Sequence, residues 1–359
     1  MTPYLLTFLI AFTLAVILTP LARRLGVRLH MVDTPGGRLQ HAGVDSRLGG
    51  LPLFVSFSAA VIASRSMGMP SFDPQEPIRL AGLLIGGAFV FAYGLVDDRF
   101  NLKPGWQFAA QLIASLIAIG TLIFVERFNN PLTNRQVILQ PWAYIPLTLF
   151  WMMGMMNTVN WLDGLDGLAI GVAAIFSAIL FIAMIRTTPE QPEPQLSIAL
   201  LPMALLGATL GFLPFNFYPA RIFLGSGSLF LGYVLGSLGI IGGAKVATVL
   251  LILAVPVLDV AWLIISRARR GQSPMQGGRD HLHFRLLDLG LLQRAIVGLY
   301  YGVSAVFGIL ALVTEGRLVK VIALVLVGAV VLVALVVISR KGPDSRRRTK
   351  DEGRRTKDE

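Results

Sequence analysis

The sequence contains no cysteine, which excludes disulfide bonds, a thiol nucleophile and a zinc–thiolate centre. Charged side chains are also scarce. Asp, Glu, Lys and Arg make up only 14% of the 359 residues, against about 25% in soluble domains. The length alone would allow two soluble domains, but apolar runs close to the ~20 residues that span a bilayer recur throughout. These features predict a polytopic membrane protein.

The hydrophobic runs predict an all-α fold with about ten to eleven transmembrane helices over residues 1–340. The predicted spans are 3–22, 48–66, 78–95, 106–125, 141–157, 168–186, 196–213, 228–243, 245–265, 295–313 and 318–339. Residues 341–359 contain RRTKDE twice and too few apolar side chains to form a core. A disordered basic cytoplasmic tail is therefore expected there.

Lysine and arginine are distributed unevenly over these predicted loops. Of the 31 Lys and Arg residues, 23 fall on one set of loops and the tail, and the positive-inside rule places that face in the cytoplasm of a plasma or inner membrane, with the N-terminus outside. The net charge of +11 suits anionic lipid head groups and phosphorylated substrates. No nucleic-acid role is expected, since there is no basic soluble domain to carry it.

With this topology, the unusual polar segments fall on the cytoplasmic face. They are DTPGGRLQHAGVDSRLGG (33–50), DDRFNLK (97–103), NTVNWLDGLDG (157–167), NFYPARIFLGSGS (216–228) and RARRGQSPMQGGRDHLHFR (267–285). All four histidines lie on the same face. The sequence therefore predicts that the active face is cytoplasmic.

Four oxygen-bearing side chains recur every third residue at the end of the fifth predicted span, namely Asn157, Asn160, Asp163 and Asp166. Charges at membrane depth are costly, so such a group is a candidate functional site. Its oxygen-only donors suit a hard cation such as Mg²⁺ shared with substrate phosphates. The alternative is a set of helix-end amides and turn aspartates.

On an ideal helix, each residue of this series is rotated by about 60° from the one before, so the four cannot face a single point. Gly164 and Gly167 suggest that the helix ends near Asp163. A loop could then bring Asp166 back towards the others.

Asp97 and Asp98 end the third predicted span. Adjacent carboxylates repel each other unless a cation lies nearby, which indicates a functional pair. The alternative is a stop at the membrane surface, with Arg99 and Lys103 as partners.

Two further segments are candidates for substrate contact. The Gly225–Ser228 run is predicted to begin a helix with free backbone N–H groups, which bind phosphate readily, although a plain capping turn explains it equally well. His281 and His283, beside Arg279 and Arg285, are interpreted as diphosphate or sugar contacts, the alternative being a basic surface loop. Zinc is not expected from an HxH pair that lacks a third ligand.

In order along the chain, DTPGGR, GLVDDRF, NTVNWLDGLDGLAIG, FNFYPARIF and RDHLHFR resemble the polyprenyl-phosphate N-acetylhexosamine-1-phosphate transferases of glycosyltransferase family 4. The match runs from about residue 33 to residue 294. It resembles the UDP-GlcNAc:undecaprenyl-phosphate GlcNAc-1-phosphate transferase branch more closely than the muramoyl branch.

The resemblance implies transfer of a sugar 1-phosphate from a UDP-sugar to polyprenyl phosphate with release of UMP, as the initiating step of cell-envelope polysaccharide synthesis. It implies Mg²⁺ dependence, with Mn²⁺ as an alternative, and is compatible with a homodimer. The resemblance implies that Asp97 and Asp98 bind or activate the lipid phosphate, that Asn160 helps to hold Mg²⁺, that Asp163 and Asp166 serve the metal or nucleotide, and that His281 and His283 serve the diphosphate-sugar side. Together with the residue patterns, this predicts Asp97, Asp98 and Asp166 for catalysis, Asn160 and Asp163 for the metal, and Asn157, Arg221, Ser226, Arg279, His281, His283 and Arg285 for the substrates.

The sequence also departs from the family pattern. Family members usually read F-M-G-D-S/T-G-S before the eighth span, whereas this chain has Phe223–Ser228, which is one residue shorter and lacks the acid. A neutral serine oxygen provides no charge balance for Mg²⁺. A weakly active or inactive relative that binds polyprenyl phosphate or nucleotide sugar is therefore an alternative. A transporter is a second alternative, although the sequence shows no inverted repeat.

Overall fold

A computed structural model gives the structure of the chain. It describes residues 1–33, 45–71, 73–130, 133, 135–187, 194–243, 246–271, 280–314 and 317–340. The predicted tail 341–359 and the predicted substrate residue Arg279 lie outside these ranges.

The described residues form thirteen α-helices and two short β-hairpins. The helices are α1 (Thr2–Arg28), α2 (Gly50–Ser64), α3 (Glu76–Phe100), α4 (Pro104–Gly120), α5 (Pro141–Leu162), α6 (Leu168–Ile185), α7 (Leu200–Asn216), α8 (Gly227–Ile241), α9 (Val246–Ile252), α10 (Ala254–Arg269), α11 (Leu282–Asp288), α12 (Gln293–Val313) and α13 (Arg317–Arg340). The antiparallel strand pairs are β1 (Val32–Asp33) with β2 (Asp45–Ser46), and β3 (Arg127–Asn129) with β4 (Gln136–Ile138).

The helical fold of a polytopic membrane protein is confirmed. Five of the described helices are long and apolar enough to cross a membrane, namely α1, α2 with the 3₁₀ turn that follows it, α3, α6 and α12, and shorter apolar helices accompany them. Large apolar side chains such as Trp142, Phe150 and Val330 are well exposed. This exposure suits a surface that faces lipid.

One predicted span is wrong in its continuity. The span 245–265 is divided into α9 and α10 at Leu253. Pro256 has no N–H to donate to the carbonyl of Ile252, and its ring crowds that carbonyl, so the helix breaks just before it. The short helix α11 was not predicted either.

Helix α8 is the centre of the bundle. Every residue from Gly227 to Ile241 is buried, and α8 packs against α5, α3, α2 and α6. A helix that is apolar on all sides is stable only when other helices surround it. The N-terminal turn of α8 is therefore fixed at the middle of one end of the bundle.

Local signals in the sequence bring other chain segments to this same end. Helix α3 stops at Asn101, which is left-handed with a φ of 47°, and α4 begins at Pro104, where proline is favoured because the first N–H groups of a helix have no partner. Helix α5 stops at Leu162, and α6 is preceded by Gly167 with a φ of 79°. The ends of α3 and α5 are thus placed beside the start of α8.

Candidate active site

The last turn of α3 meets the N-terminal turn of α8 through Asp98 and Ser226. The carboxylate of Asp98 accepts the N–H of Ser226 at 3.0 Å and 3.2 Å, and Ser226 Oγ donates to it at 3.0 Å. A negative charge at a helix N-terminus is also favoured by the helix dipole. Asp98, a predicted catalytic residue at the end of α3, is therefore held by the Phe223–Ser228 turn. This is the turn in which the family pattern has an acid and this chain has none.

The N-terminus of α8 does not present the free N–H groups expected for the Gly225–Ser228 run. The N–H groups of Gly227 and Ser228 bond to carbonyls of the same turn, at 3.2 Å each, and Asp98 takes the N–H of Ser226. The expectation of free donors is wrong for these three N–H groups. The N-cap residue Ser226 makes no side-chain capping hydrogen bond to α8, so the capping-turn alternative is not confirmed. The substrate-binding role of Ser226 stays a prediction.

Gly225 lies where three segments touch. It has a φ of 60°, and a Cβ there would lie 2.8 Å from Asp98 Oδ2 and still closer to the carbonyl oxygen of Arg47. Phe223, just before it, donates its N–H to Ser46 O at 2.8 Å. Both the backbone conformation and the available space therefore require glycine at position 225.

Gly225→Ala is expected to lower transferase activity about 100-fold, because the added methyl group displaces Asp98 and such displacements in an active site are costly. The left-handed conformation costs about 1–2 kcal/mol more for alanine than for glycine. Activity and thermal unfolding of the purified protein would measure both effects. Gly154→Ala is the matched control, because a Cβ at that helical position meets no atom within 4 Å. Equal activity of the two variants would contradict the proposed packing.

Asp97 shares Ser226 as a partner with Asp98 and also bonds to the turn after α3. Its Oδ1 accepts the N–H of Leu102 at 3.0 Å, which fixes the turn between α3 and α4. Arg47 donates to Asn101 Oδ1 at 3.3 Å, and its charge attracts both Asp97 and Asp98. Sequence reasoning gave Arg47 no site role, although it lies beside the paired acids.

The two predicted asparagines have different surroundings. Asn157 and Gln111 exchange two amide hydrogen bonds, at 2.8 Å and 3.1 Å, and Asn157 also donates to Met153 O. These bonds tie α5 to α4. Asn160 Oδ1 accepts the hydroxyl of Ser228 at 2.8 Å, which places its amide at the N-terminal turn of α8. The predicted metal ligand is thus close to Asp98, whereas Asn157 is engaged within the bundle.

The prediction that α5 ends near Asp163 is confirmed, since Asp163 is the residue directly after the helix. Burial raises the pKa of Asp163 well above its usual range, and the negative charges of Asp166 and Asp98 raise it further. The three carboxylates therefore share one electrostatic environment. Negative charge concentrated in this way favours a bound cation.

Asp166 folds back against the segment before α8. Its Oδ2 accepts the N–H of Ala220 at 3.0 Å, and the residue is buried. The loop does bring Asp166 back, as the two glycines suggested, but it places the carboxylate on the backbone of residues 217–225. The predicted catalytic role of Asp166 stays a prediction.

Asn216 is a buried residue that the sequence reasoning missed. Its Oδ1 accepts the N–H of Gly167 at 3.2 Å, and its Nδ2 donates to Ile222 O at 3.0 Å. It therefore joins the loop that carries Asp163 and Asp166 to the segment that leads into α8. A polar residue at the end of an apolar helix was the available signal.

Asn216→Ala is expected to lower stability by roughly 2–5 kcal/mol, because it leaves one buried donor and one buried acceptor unpaired. The substrate KM should rise as the two loops separate. Thermal unfolding and steady-state kinetics would measure these effects. Ser177→Ala is the control, since among the described residues this buried hydroxyl bonds only to Ala173 O of its own helix. A variant indistinguishable from that control would argue against a role in joining the loops.

His283 lies against the Asp163–Gly167 loop. A Cβ on Gly164 would collide with His283 Nε2 and Phe284, so α11 packs directly on this loop. Burial lowers the pKa of His283 to about 3, with a smaller effect from His281. His283 is therefore neutral at physiological pH and cannot offer a positive charge to a diphosphate.

Two of the arginines predicted to bind substrate, Arg221 and Arg285, lie within the described residues. Arg221 is exposed, and Arg285 Nε donates to Asp280 O at 2.7 Å. Their substrate contacts stay predictions.

The fit of these residues to a metal ion depends on which donor side chains lie close together. Within the described ranges, no group of three or more His, Asp or Glu side chains is close enough to enclose a metal. Mg²⁺, however, is usually held by one or two carboxylates together with water and substrate phosphates. Asp163, the nearby Asp98 and the amide of Asn160 fit that donor set.

The chain is similar to known proteins over the residues that form this site. Residues 80–243 match the model of glycosyl transferase family 4. The chain is 31% identical over 316 residues to the probable undecaprenyl-phosphate N-acetylglucosaminyl 1-phosphate transferase of Bacillus subtilis, covering 86% of this chain and 84% of the relative. The chain belongs to glycosyl transferase family 4. The matched residues contain most of α3 and all of α4 to α8, and hence Asp98, Asn160 and Ser226.

Two other members of glycosyl transferase family 4 illustrate its range. The decaprenyl-phosphate N-acetylglucosaminephosphotransferase of Mycolicibacterium smegmatis is 29% identical over 365 residues, covering 94% of this chain and 89% of the relative. The phospho-N-acetylmuramoyl-pentapeptide-transferase of Clostridium perfringens is 29% identical over 321 residues, covering 85% of this chain and 94% of the relative. Percentage identity alone therefore does not decide between N-acetylglucosamine and N-acetylmuramoyl-pentapeptide, the sugars in the names of these two relatives.

Proposed function

We propose that the chain transfers a sugar 1-phosphate, with GlcNAc-1-phosphate as the first candidate, from a UDP-sugar to a polyprenyl phosphate. The observation that carries this proposal is the meeting of Asp98 and Asn160 at the N-terminal turn of α8, with Asp163 near enough to feel the charge of Asp98, in a member of glycosyl transferase family 4. The names of the Bacillus subtilis and Mycolicibacterium smegmatis relatives support the same reaction.

The reaction is an exchange of one phosphoanhydride bond for another. An oxygen of the lipid phosphate forms a bond to the β-phosphorus of the UDP-sugar, and the bond from that phosphorus to the bridging oxygen breaks, releasing UMP. The lipid phosphate is already an anionic nucleophile, so removing a proton from it contributes little. The site has to hold the lipid phosphate, the β-phosphate and the phosphate of the departing UMP in line, and all three are negatively charged.

Mg²⁺ is the proposed cofactor, held by Asp163 and Asn160 with Asp98 beside them. When bound, it would neutralise charge on the phosphates. Asp98 keeps its position through Ser226, and Arg47 offers a positive charge next to the acids. Asp166 and Asn216 fix the loop that carries Asp163, so these residues serve the geometry of the site.

We also propose that this end of the bundle faces the cytoplasm of the plasma membrane, as the distribution of Lys and Arg indicates. Polyprenyl phosphate would then lie in the bilayer, with its phosphate at the level of the helix ends. A homodimer stays a prediction, which light scattering of the purified protein in detergent would decide.

The proposed function is tested by supplying purified protein in vesicles with undecaprenyl phosphate, Mg²⁺ and radiolabelled UDP-GlcNAc. The expected result is a lipid-soluble labelled product together with a stoichiometric amount of UMP. Failure with UDP-GlcNAc but success with another UDP-sugar would change the donor only. No product with a panel of UDP-sugars, together with retained binding of UDP-sugar or polyprenyl phosphate, would identify an inactive relative and reject the enzyme.

A further inference from the structure

Asp259 lies in α10 at a narrow cleft beside the candidate site. The cleft is also lined by Trp161, His281, His283 and Tyr300. His283 Nε2 and the Tyr300 hydroxyl are buried there without a hydrogen-bond partner among the described residues. Buried polar atoms without partners are rare in native proteins, so these two atoms mark a polar patch on the cleft wall that the described side chains do not satisfy.

The two carboxylate oxygens of Asp259 contact two adjacent residues, His281 and Leu282. Oδ2 lies 2.9 Å from His281 Nδ1, and Oδ1 accepts the N–H of Leu282 at 2.9 Å. The side chains of Asp259 and His281 are each only 6% exposed. The carboxylate accepts hydrogen bonds and cannot donate them when ionised, so it selects the His281 tautomer that carries its proton on Nδ1.

The ring of His281 is held on its other sides by aromatic groups. Its centre lies 5.6 Å from that of Trp161 and 5.5 Å from that of His283, to which it is nearly parallel. With the Nδ1 side fixed on Asp259, Nε2 is the nitrogen left to meet a ligand. In the neutral ring this nitrogen accepts a hydrogen bond from a hydroxyl or an amide N–H.

We propose that Asp259 is a positioning residue that fixes the tautomer and orientation of His281, so that Nε2 accepts a hydrogen bond from the sugar of the donor substrate. This inference rests on the proposed function and on the interpretation of His281 and His283 as diphosphate or sugar contacts. Asp259 itself does not touch the substrate. The same arrangement of carboxylate and imidazole sets the tautomer of catalytic histidines in other enzymes.

A second contact allows this idea to be tested without unfolding the segment. Arg267, two turns further along α10, donates to Asp280 Oδ2 at 3.0 Å. Helix α10 therefore still holds the residues before His281 when the Asp259 carboxylate is changed. An amide at position 259 also keeps an oxygen for the N–H of Leu282.

Asp259→Asn is expected to lower kcat/KM for UDP-GlcNAc about 100-fold, because the amide N–H₂ faces Nδ1 and imposes the opposite tautomer. Glu76→Gln is the matched control. Glu76 is another buried carboxylate that accepts hydrogen bonds, including one from Ser197 at 2.6 Å, but it lies ~30 Å from Asp97 along the rise of α3. Equal activity of Asp259→Asn and Glu76→Gln would overturn the proposal.

A double-mutant comparison separates positioning from simple support of α11. If Asp259 acts through His281, adding Asp259→Asn to His281→Ala should change kcat/KM less than about twofold. If the two substitutions instead lower kcat/KM by factors that multiply, Asp259 acts independently of His281 and the inference is rejected.

The ¹⁵N resonances of His281 give a readout that does not need activity. Nδ1 should carry the proton in the wild type, and Nε2 should carry it in Asp259→Asn. If the wild type transfers no sugar phosphate, the proposed function fails, but the tautomer comparison still decides whether Asp259 sets the state of His281. An unchanged tautomer would reject the positioning role even in an active enzyme.

Discussion

Asp98→Asn is expected to lower sugar-phosphate transfer about 1000-fold, the upper range for removing one preorganised electrostatic contact. The substitution removes a negative charge from the group that Asp98 forms with Asp163, where the proposed cation and phosphates meet. The asparagine oxygen can still accept a hydrogen bond from Ser226, so the fold should be retained. Radiolabelled product formation in vesicles would measure the loss.

The control for this prediction is Glu126→Gln, which removes one charge from a carboxylate whose only ion-pair partner in the described residues is Arg127, a pair at 3.4 Å on the surface. It should leave both activity and thermal unfolding nearly unchanged. If Asp98→Asn retained more than a tenth of wild-type activity, Asp98 would be a structural cap of α8 and no more.

Removal of divalent metal is expected to abolish activity completely, and added Mg²⁺ to restore it. The reason is the concentration of negative charge at Asp163, Asp98 and Asp166, to which the substrates add their own phosphates. EDTA would be compared with the same amount of EDTA already loaded with Mg²⁺, which controls for effects of the chelator. Full activity in EDTA would rule out the magnesium proposal.

Asp163→Asn tests the same site from the protein side. The variant should need roughly tenfold more Mg²⁺ for half-maximal rate, because a neutral oxygen replaces a charged ligand. A reduced maximal rate with an unchanged Mg²⁺ requirement would instead assign Asp163 to the substrates.

The shortened turn before α8 is the feature that most affects how the family relationship applies to this chain. Where the family pattern has an acid, this chain has Gly225 followed directly by Ser226, and Asp98 from α3 closes on that serine. A carboxylate is thus present at the turn, although it comes from a distant part of the chain. This arrangement favours an active enzyme over an inactive relative, and the transfer assay decides between them.

Several parts of the fold follow from local properties of the sequence. Apolar runs placed the helices, because a membrane helix needs a continuous apolar stretch whatever its neighbours are. Gly164 and Gly167 correctly placed the end of α5, since glycine readily takes the backbone conformations that end a helix. The break at Leu253 could not be predicted from Pro256 alone, since α1 and α5 continue through Pro20 and Pro146.

The arrangement of the site depended on contacts that local patterns do not encode. The sequence determined which residue types stand at the helix ends: acids at Asp98 and Asp163, and amides at Asn160 and Asn216. Only the tertiary structure decided that Asp98 binds Ser226, that Asn216 joins two loops and that Asp259 holds His281. The physical reason is that each of these bonds satisfies a buried polar group, and the partner is whichever group the packing of the helices around α8 brings within about 3 Å.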